Sequence, residues 1–326
     1  MNVMVVGAGA LGMLFGGYSL LASENNLIVV TRTKLQASTL NQEGLLFRER
    51  DQKEHLFKVN AFSTEEGSVP SELLSQVDIV LVTVKQHHLE TVLGWLKQMI
   101  PTHTPLLFLM NGLGHVEKIQ DALSEHASFF GVTYNGATKI STRSVEERGR
   151  SLTKVGFLAN KIMESTEADP SVLMEWTSQM NKLGITVKLS QDILSDLWHK
   201  CIVNSCINPL TGLFQVENGQ LIENVHLHRL MRQLYDELIH YVQETRADIA
   251  QKILRNDCFW EEIEAVCRNT SNNRSSMEQD IRYGRKTEID SFNGYFLKEA
   301  LKKGIHLPTH TFIYHSILFL QKSHKG

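Results

Sequence analysis

The chain has 326 residues, 42% of them hydrophobic and 21% charged, with a formal charge of −3. That length accommodates two ordinary domains with real cores, and the balanced charge gives no nucleic-acid signature. Four cysteines (Cys201, Cys206, Cys258, Cys267) form no CxxC pair and the histidines are scattered, so the thiols read as reduced and buried in a cytoplasmic protein with no metal site.

From Asn2 to Ser23 the chain carries no charge, a length that could span a membrane. Five glycines fall within Gly7–Gly17, and they favour a buried strand, a tight turn and a buried helix instead. NVMVVG (2–7) is the first predicted strand, 11–22 a helix and LIVVTR (27–32) the second strand. Further apolar runs follow at 77–85, 105–112 and 128–134, with amphipathic segments at 87–99 and 115–125 between them. SLTKVGFL (151–158) and GITVKLS (184–190) read as strands flanking a helix at 170–183. Apolar strands alternating with helices predict a parallel sheet covered on both faces. After Ser190 helical patterns dominate, at 191–208, 220–247, 259–268, 290–304 and 309–321. The polar stretch RNTSNNRSSMEQD (268–280) reads as a loop, either functional or merely solvated.

GAGALG supplies Gly7, Ala8, Gly9, Ala10, Leu11 and Gly12, a G-x-G-x-x-G between a predicted strand and a predicted helix. In that context the first glycine permits the turn, the second lets a pyrophosphate approach the backbone, and the third allows close helix–strand packing. The helix N-terminus then offers N–H groups to phosphate. The fold class is therefore α/β: an N-terminal Rossmann-type dinucleotide-binding domain over 1–189, followed by an all-α domain over 190–326. An NAD site would carry an acid at the end of the second strand. Here VVTRTK offers Arg32, twenty residues after Gly12. A guanidinium suits a 2′-phosphate, which predicts NADP(H) as cofactor. Lys85 ends its strand where ligands gather in such sheets, either adding positive charge or simply solvated. Asn111, in MNG, either reaches a ligand or makes a turn.

In WHKCIVNSCINPLTG (198–212), Lys200, Asn204 and Asn208 recur every four residues. On a helix such residues drift about 40° per step and share one face. A lysine there can protonate the oxygen formed when hydride reaches a carbonyl carbon, and the amides can orient a small polar substrate. The alternative is a polar seam against solvent. Pro209 disfavours a helical Asn208 and either ends or kinks the segment.

The sequence closely resembles the ketopantoate reductase family nearly end to end. The motifs are GAGALG (7–12), TVK (83–85), NG.G (111–114), W.K...N..INPLT (198–211), NG (218–219), SSM.QD (275–280) and TEID..NG (287–294). The resemblance implies reduction of 2-dehydropantoate to pantoate by NADPH, in pantothenate biosynthesis. It implies Lys200 as general acid, with Glu288 beside the lysine and the nicotinamide ribose. Asn111, Asn204, Asn208, Asn218 and Ser276 are similar to substrate-binding positions. Arg32 and Lys85 match 2′-phosphate ligands, and Asn111 and Ala137 line the cofactor. Glu288 would favour a charged lysine and burial would oppose it; sequence leaves the winner open. The chain departs from the family at Tyr134–Asn135 and at His87–His88. The alternatives are reduction of another branched 2-keto acid, or oxidation of a hydroxy acid, and a non-catalytic NADP(H) sensor. A small 2-keto acid is the expected partner, with no nucleic acid and no membrane. A homodimer is compatible with the helical half, although no stripe names its face.

Overall fold

The computed structural model describes residues 1–65, 68–158, 171–255 and 258–323. The chain divides into two compact units, Met1–Met110 with His115–Asp196, and Asn111–Gly114 with the chain from Leu197 onward. The division therefore falls at 196/197, against an expected 189/190. The segment Asn111–Gly114 groups with the later unit, which no local pattern in the sequence announced.

The first unit runs β1 (Asn2–Val6), α1 (Ala10–Leu21), β2 (Asn26–Thr31), α2 (Lys34–Glu43), β3 (Leu45–Arg48), β4 (Glu54–Phe57), β5 (Asn60–Ser63), α3 (Ser71–Leu74), β6 (Ile79–Val82), α4 (Leu89–Met99), β7 (Leu106–Leu109), α5 (His115–Ala122), β8 (Ser128–Thr133), β9 (Gly136–Lys139), β10 (Ser144–Gly149), β11 (Thr153–Gly156), α6 (Ser171–Lys182) and β12 (Val187–Leu189). The main sheet has the order β12-β11-β8-β7-β6-β1-β2-β5. Its central strands β6 and β7 are buried at every position, as apolar runs without alternation require when both faces are covered.

Two features differ from the sequence reading. The sheet is mixed, because β11 pairs antiparallel with β8. The chain returns from β8 through the strands β9 and β10, and antiparallel neighbours need no helical crossover. A second sheet, ordered β4-β3-β10-β9, was also unforeseen. Its strands are short and, in β3 and β4, only half-buried by alternation, so they leave no continuous apolar run. Buried Tyr18 of α1 donates to Glu147 of β10 at 2.7 Å, and Arg150 donates to the same carboxylate at 2.7 and 2.9 Å. That pairing satisfies a buried charge where the second sheet meets α1.

The second unit is helical: α7 (Ile193–Phe214), most of which belongs to it, α8 (Gln220–Glu223), α9 (Val225–Thr245), α10 (Ala247–Ile253), α11 (Phe259–Asn269), α12 (Ser276–Arg282), α13 (Asn293–Leu301) and α14 (Pro308–Ser323). The helix expected over 220–247 is broken at Asn224. The Asn224 side chain accepts from His226 N and Leu227 N at 2.9 and 3.3 Å and starts α9 afresh. The expected loop 268–280 is shorter than its composition suggested, because Ser275 accepts from Glu278 N at 3.1 Å and caps α12. Of the thiols, Cys201, Cys206 and Cys267 are buried but Cys258 is partly exposed, a correction to the expectation that all four are buried. Among the described residues no helix is long and apolar enough to cross a membrane.

Pro209 neither ends α7 nor stops its hydrogen bonding. The helix continues to Phe214 with Pro209 inside it. Proline there lacks the N–H that would bond the carbonyl four residues earlier, which is that of Ser205. Asn293 supplies the missing donor: its Nδ2 lies 3.2 Å from Ser205 O. The same amide donates to His310 Nδ1 at 2.8 Å, and His310 Nε2 donates to Leu234 O at 2.9 Å. Burial lowers the His310 pKa, which keeps the ring neutral with one nitrogen as acceptor. Asn293 and His310 are fully buried, so each bond counts. Asn293→Ala should therefore cost about 1–3 kcal/mol in urea unfolding. The loss should shrink in a Pro209→Ala background, where a restored backbone N–H reaches Ser205 O.

Candidate active site

The glycine loop is built as its motif demands. Gly7 has φ +106°, a region open to glycine at little cost, and a Cβ there would lie 2.8 Å from Val84 Cγ1. A Cβ on Gly12 would lie 2.0 Å from Gly7 O and 2.5 Å from Thr83 Oγ1, so only glycine lets α1 start this close to the sheet. Thr83, from the TVK motif, donates to Gly7 O at 2.8 Å and fixes the turn. A Cβ on Gly9 would meet nothing within 4 Å. That open side, with no side chain capping the start of α1, fits a dinucleotide phosphate against backbone N–H groups.

Arg32 follows the last residue of β2 and is exposed, with Nη1 3.4 Å from His88 Nε2. His88 thus sits beside the guanidinium that was read as a nucleotide selector. Lys85 precedes the short 3₁₀ turn Gln86–His88 and is partly buried. Ala137 lies on β9 with its side chain against the core cluster of this unit. Asn135, the position that departs from the family, is fully engaged in structure. Its Nδ2 donates to Thr133 and Thr153 at 3.0 and 2.9 Å, and its Oδ1 accepts from Ser151 N at 2.8 Å.

In the second unit, α7 carries Lys200, Asn204 and Asn208 on one face, as the spacing predicted. Trp198, Ile202, Val203 and Ile207 are buried at 2%, 0%, 6% and 3% exposure and anchor the other faces; Trp198 meets Phe296 edge-on at 5.8 Å. Asn208 is buried and Asn204 partly so, which argues against a seam left to solvent. Among the described residues neither side-chain amide has a hydrogen-bond partner. The Lys200 Nζ donates to Asn111 Oδ1 at 2.7 Å, so the NG.G segment and the lysine helix meet within this unit. That segment is itself fixed by Leu113 N, which donates to Ser291 O at 3.0 Å. Burial lowers the Lys200 pKa to about 8, against the opposing charge of Glu288. Burial therefore wins the contest that the sequence left open.

Glu288 is partly buried just before the 3₁₀ turn Ile289–Ser291, and its charge acts on Lys200. Asn218 donates to Thr270 Oγ1 at 2.8 Å, and its buried Oδ1 has no partner among the described residues. Ser276 is exposed at the first position of α12, and the capping hydroxyl is that of Ser275. Sequence reasoning missed Gln36 and Lys139, which both donate to Ala8 O at 3.0 Å. The signal was the strand period: Lys139 is two residues from Ala137 and shares its face of β9. Among the described residues no group of three or more His, Cys, Asp or Glu side chains could hold a metal ion.

A glycine-loop domain with an arginine at the end of its second strand, and a helical unit that holds a partly buried lysine among amides, are the parts of an NADP-dependent oxidoreductase of small carbonyl compounds. Residues 3–160 match the family described as "Ketopantoate reductase PanE/ApbA", and residues 192–321 match its C-terminal domain. The chain belongs to the ketopantoate reductase family. It is 31% identical over 323 residues to the 2-dehydropantoate 2-reductase of Bacillus subtilis (strain 168), covering 99% of this chain and 98% of that protein. The crystal structure of a probable 2-dehydropantoate 2-reductase from Bacillus subtilis has TM-score 0.78 and 30% identity, covering 98% of this chain and 100% of that one. A D-mandelate dehydrogenase solved with NADH and anilino(oxo)acetate shares the fold, with TM-score 0.82 and 22% identity over the full length of both chains.

Arg32→Ala should weaken NADPH binding about tenfold to a hundredfold, the size of a lost charge-assisted hydrogen bond. NADH binding should change far less. Fluorescence titration of both nucleotides measures this.

Proposed function

We propose that this chain reduces 2-dehydropantoate to pantoate with NADPH, the reduction that serves pantothenate biosynthesis in the cytoplasm. The observation that carries the reading is the Lys200 ammonium, held by Asn111 on a helix face where two amides have no protein partner among the described residues. When bound, NADPH supplies the hydride. The chain's own residues handle the oxygen. Lys200 donates a proton to the oxygen of the former C2 carbonyl, and its positive charge stabilises the alkoxide as it forms. A pKa of about 8 suits a proton donor. The group is mostly protonated near neutrality, yet gives up its proton more readily than an exposed lysine. Asn111 Oδ1 accepts a hydrogen bond from the ammonium and fixes its position. Asn204 and Asn208 bind the hydroxyl and carboxylate oxygens, replacing hydrogen bonds that those groups made to water. Glu288 sustains the charge on Lys200. Asn218 and Ser276 lie further along the same unit, and we assign them to binding rather than proton transfer.

Purified protein should oxidise NADPH on addition of 2-dehydropantoate, and Lys200→Ala should lower kcat about 10²–10⁴-fold, the usual contribution of a general acid. Wild-type turnover no faster than that variant would overturn this reading, and a clear preference for a different branched 2-keto acid would reassign the substrate. A pH profile tests the acid itself. Because Lys200 must be protonated, kcat/KM should fall as pH rises through about 8. Glu288→Gln removes a charge that raises the Lys200 pKa, so the alkaline limb should move to lower pH.

A further inference from the structure

The β9 strand brings a second cation to the glycine loop. Lys139 Nζ lies 3.0 Å from Ala8 O, the carbonyl between Gly7 and Gly9. Gln36, in the first turn of α2, donates to the same oxygen at 3.0 Å and to Thr142 O at 2.7 Å. One amide thereby ties the glycine loop to the connection between β9 and β10, which places Lys139 beside the turn. Arg32 follows β2, four residues before the Gln36 that shares Ala8 O with Lys139. Burial, then the like charge of Arg32, lowers the Lys139 pKa. Among the described residues no carboxylate forms an ion pair with either group. Partly burying one cation near another costs free energy unless an anion joins them.

We infer that Lys139 and Arg32 together bind the 2′-phosphate of NADP(H), making Lys139 a determinant of nucleotide choice. This rests on the dinucleotide site proposed above and adds to it a residue from the second sheet. The 2′-phosphate is preferred over the pyrophosphate because of where the cations converge. Arg32 stands at the end of β2, where the adenosine ribose is read in such folds, whereas the pyrophosphate is served by the N-terminus of α1. A phosphate monoester carries nearly two charges near neutral pH, enough to offset the repulsion between two cations. Lys139 stands on β9, so its role would give the second sheet a part in binding.

The test is equilibrium binding, which does not depend on turnover. NADPH, NADH, 2′,5′-ADP and ADP would be titrated against the wild type, Lys139→Gln and Lys139→Met. Gln36 keeps a donor on Ala8 O in both variants, so they separate the charge of Lys139 from support of the loop. Both variants should bind NADPH and 2′,5′-ADP at least tenfold more weakly, with NADH and ADP within about twofold of wild type. Lys139→Arg should recover most of the loss. Equal weakening of NADPH and NADH would overturn the proposal, assigning Lys139 to the pyrophosphate or to the loop. Unchanged NADPH affinity in Lys139→Gln would also overturn it, as would a wild type with no preference for NADPH. If the wild type prefers NADPH and the variants behave as expected, but no 2-keto acid is reduced, the proposed reaction fails and this inference stands.

Discussion

Burial lowers the pKa of Lys200 to about 8, yet the proposed general acid would work only while it holds its proton. The second unit is arranged around that tension. Asn111 accepts from the ammonium, and Glu288 adds an opposing charge that offsets part of the desolvation. Trp198 and the aliphatic residues of α7 fix the helix on its other sides. The lysine is thereby set in place before any ligand arrives, and in the proposed role of proton donor it would leave little reorganisation for the reaction itself.

The asparagines divide by whether the fold has already used them. Asn135 uses both its amide protons and its oxygen on Thr133 of β8, Thr153 of β11 and Ser151 just before it. Asn224 starts a helix, and Asn293 replaces the N–H that Pro209 lacks. Asn204 and Asn208 do none of this, although they lie on a helix whose other faces are buried. A buried amide such as Asn208 without a protein partner costs free energy, and a ligand rich in oxygen would remove the cost. The same logic applies at the glycine loop, where Arg32 and Lys139 are two cations that an anion would join. Each unit thus carries polar groups that the fold leaves for the ligand proposed there.

Pro209 shows how such a site can be built on an imperfect helix. A proline inside α7 opens the hydrogen bond to Ser205 O, at the turn that carries Asn204 and Asn208. Asn293 and His310 close the gap from α13 and α14 and tie both helices, and α9 through Leu234 O, to that turn. The INPLT and TEID..NG motifs are therefore two halves of one interaction.

The sequence by itself determined the parts whose physics is local. A strand, three spaced glycines and a helix make a phosphate-binding turn wherever they occur together, and a four-residue repeat puts three side chains on one helix face. The type of each domain and the family followed from the same kind of signal. Only the tertiary structure decided which residues meet across long separations. It brought Asn111 to Lys200 and Lys139 to Ala8, paired β11 against β8 in the opposite direction, and built a second sheet from strands too short to be recognised alone. It also decided that burial outweighs Glu288 at Lys200. Those outcomes depend on desolvation and on partners far along the chain, neither of which is encoded in any short stretch of residues.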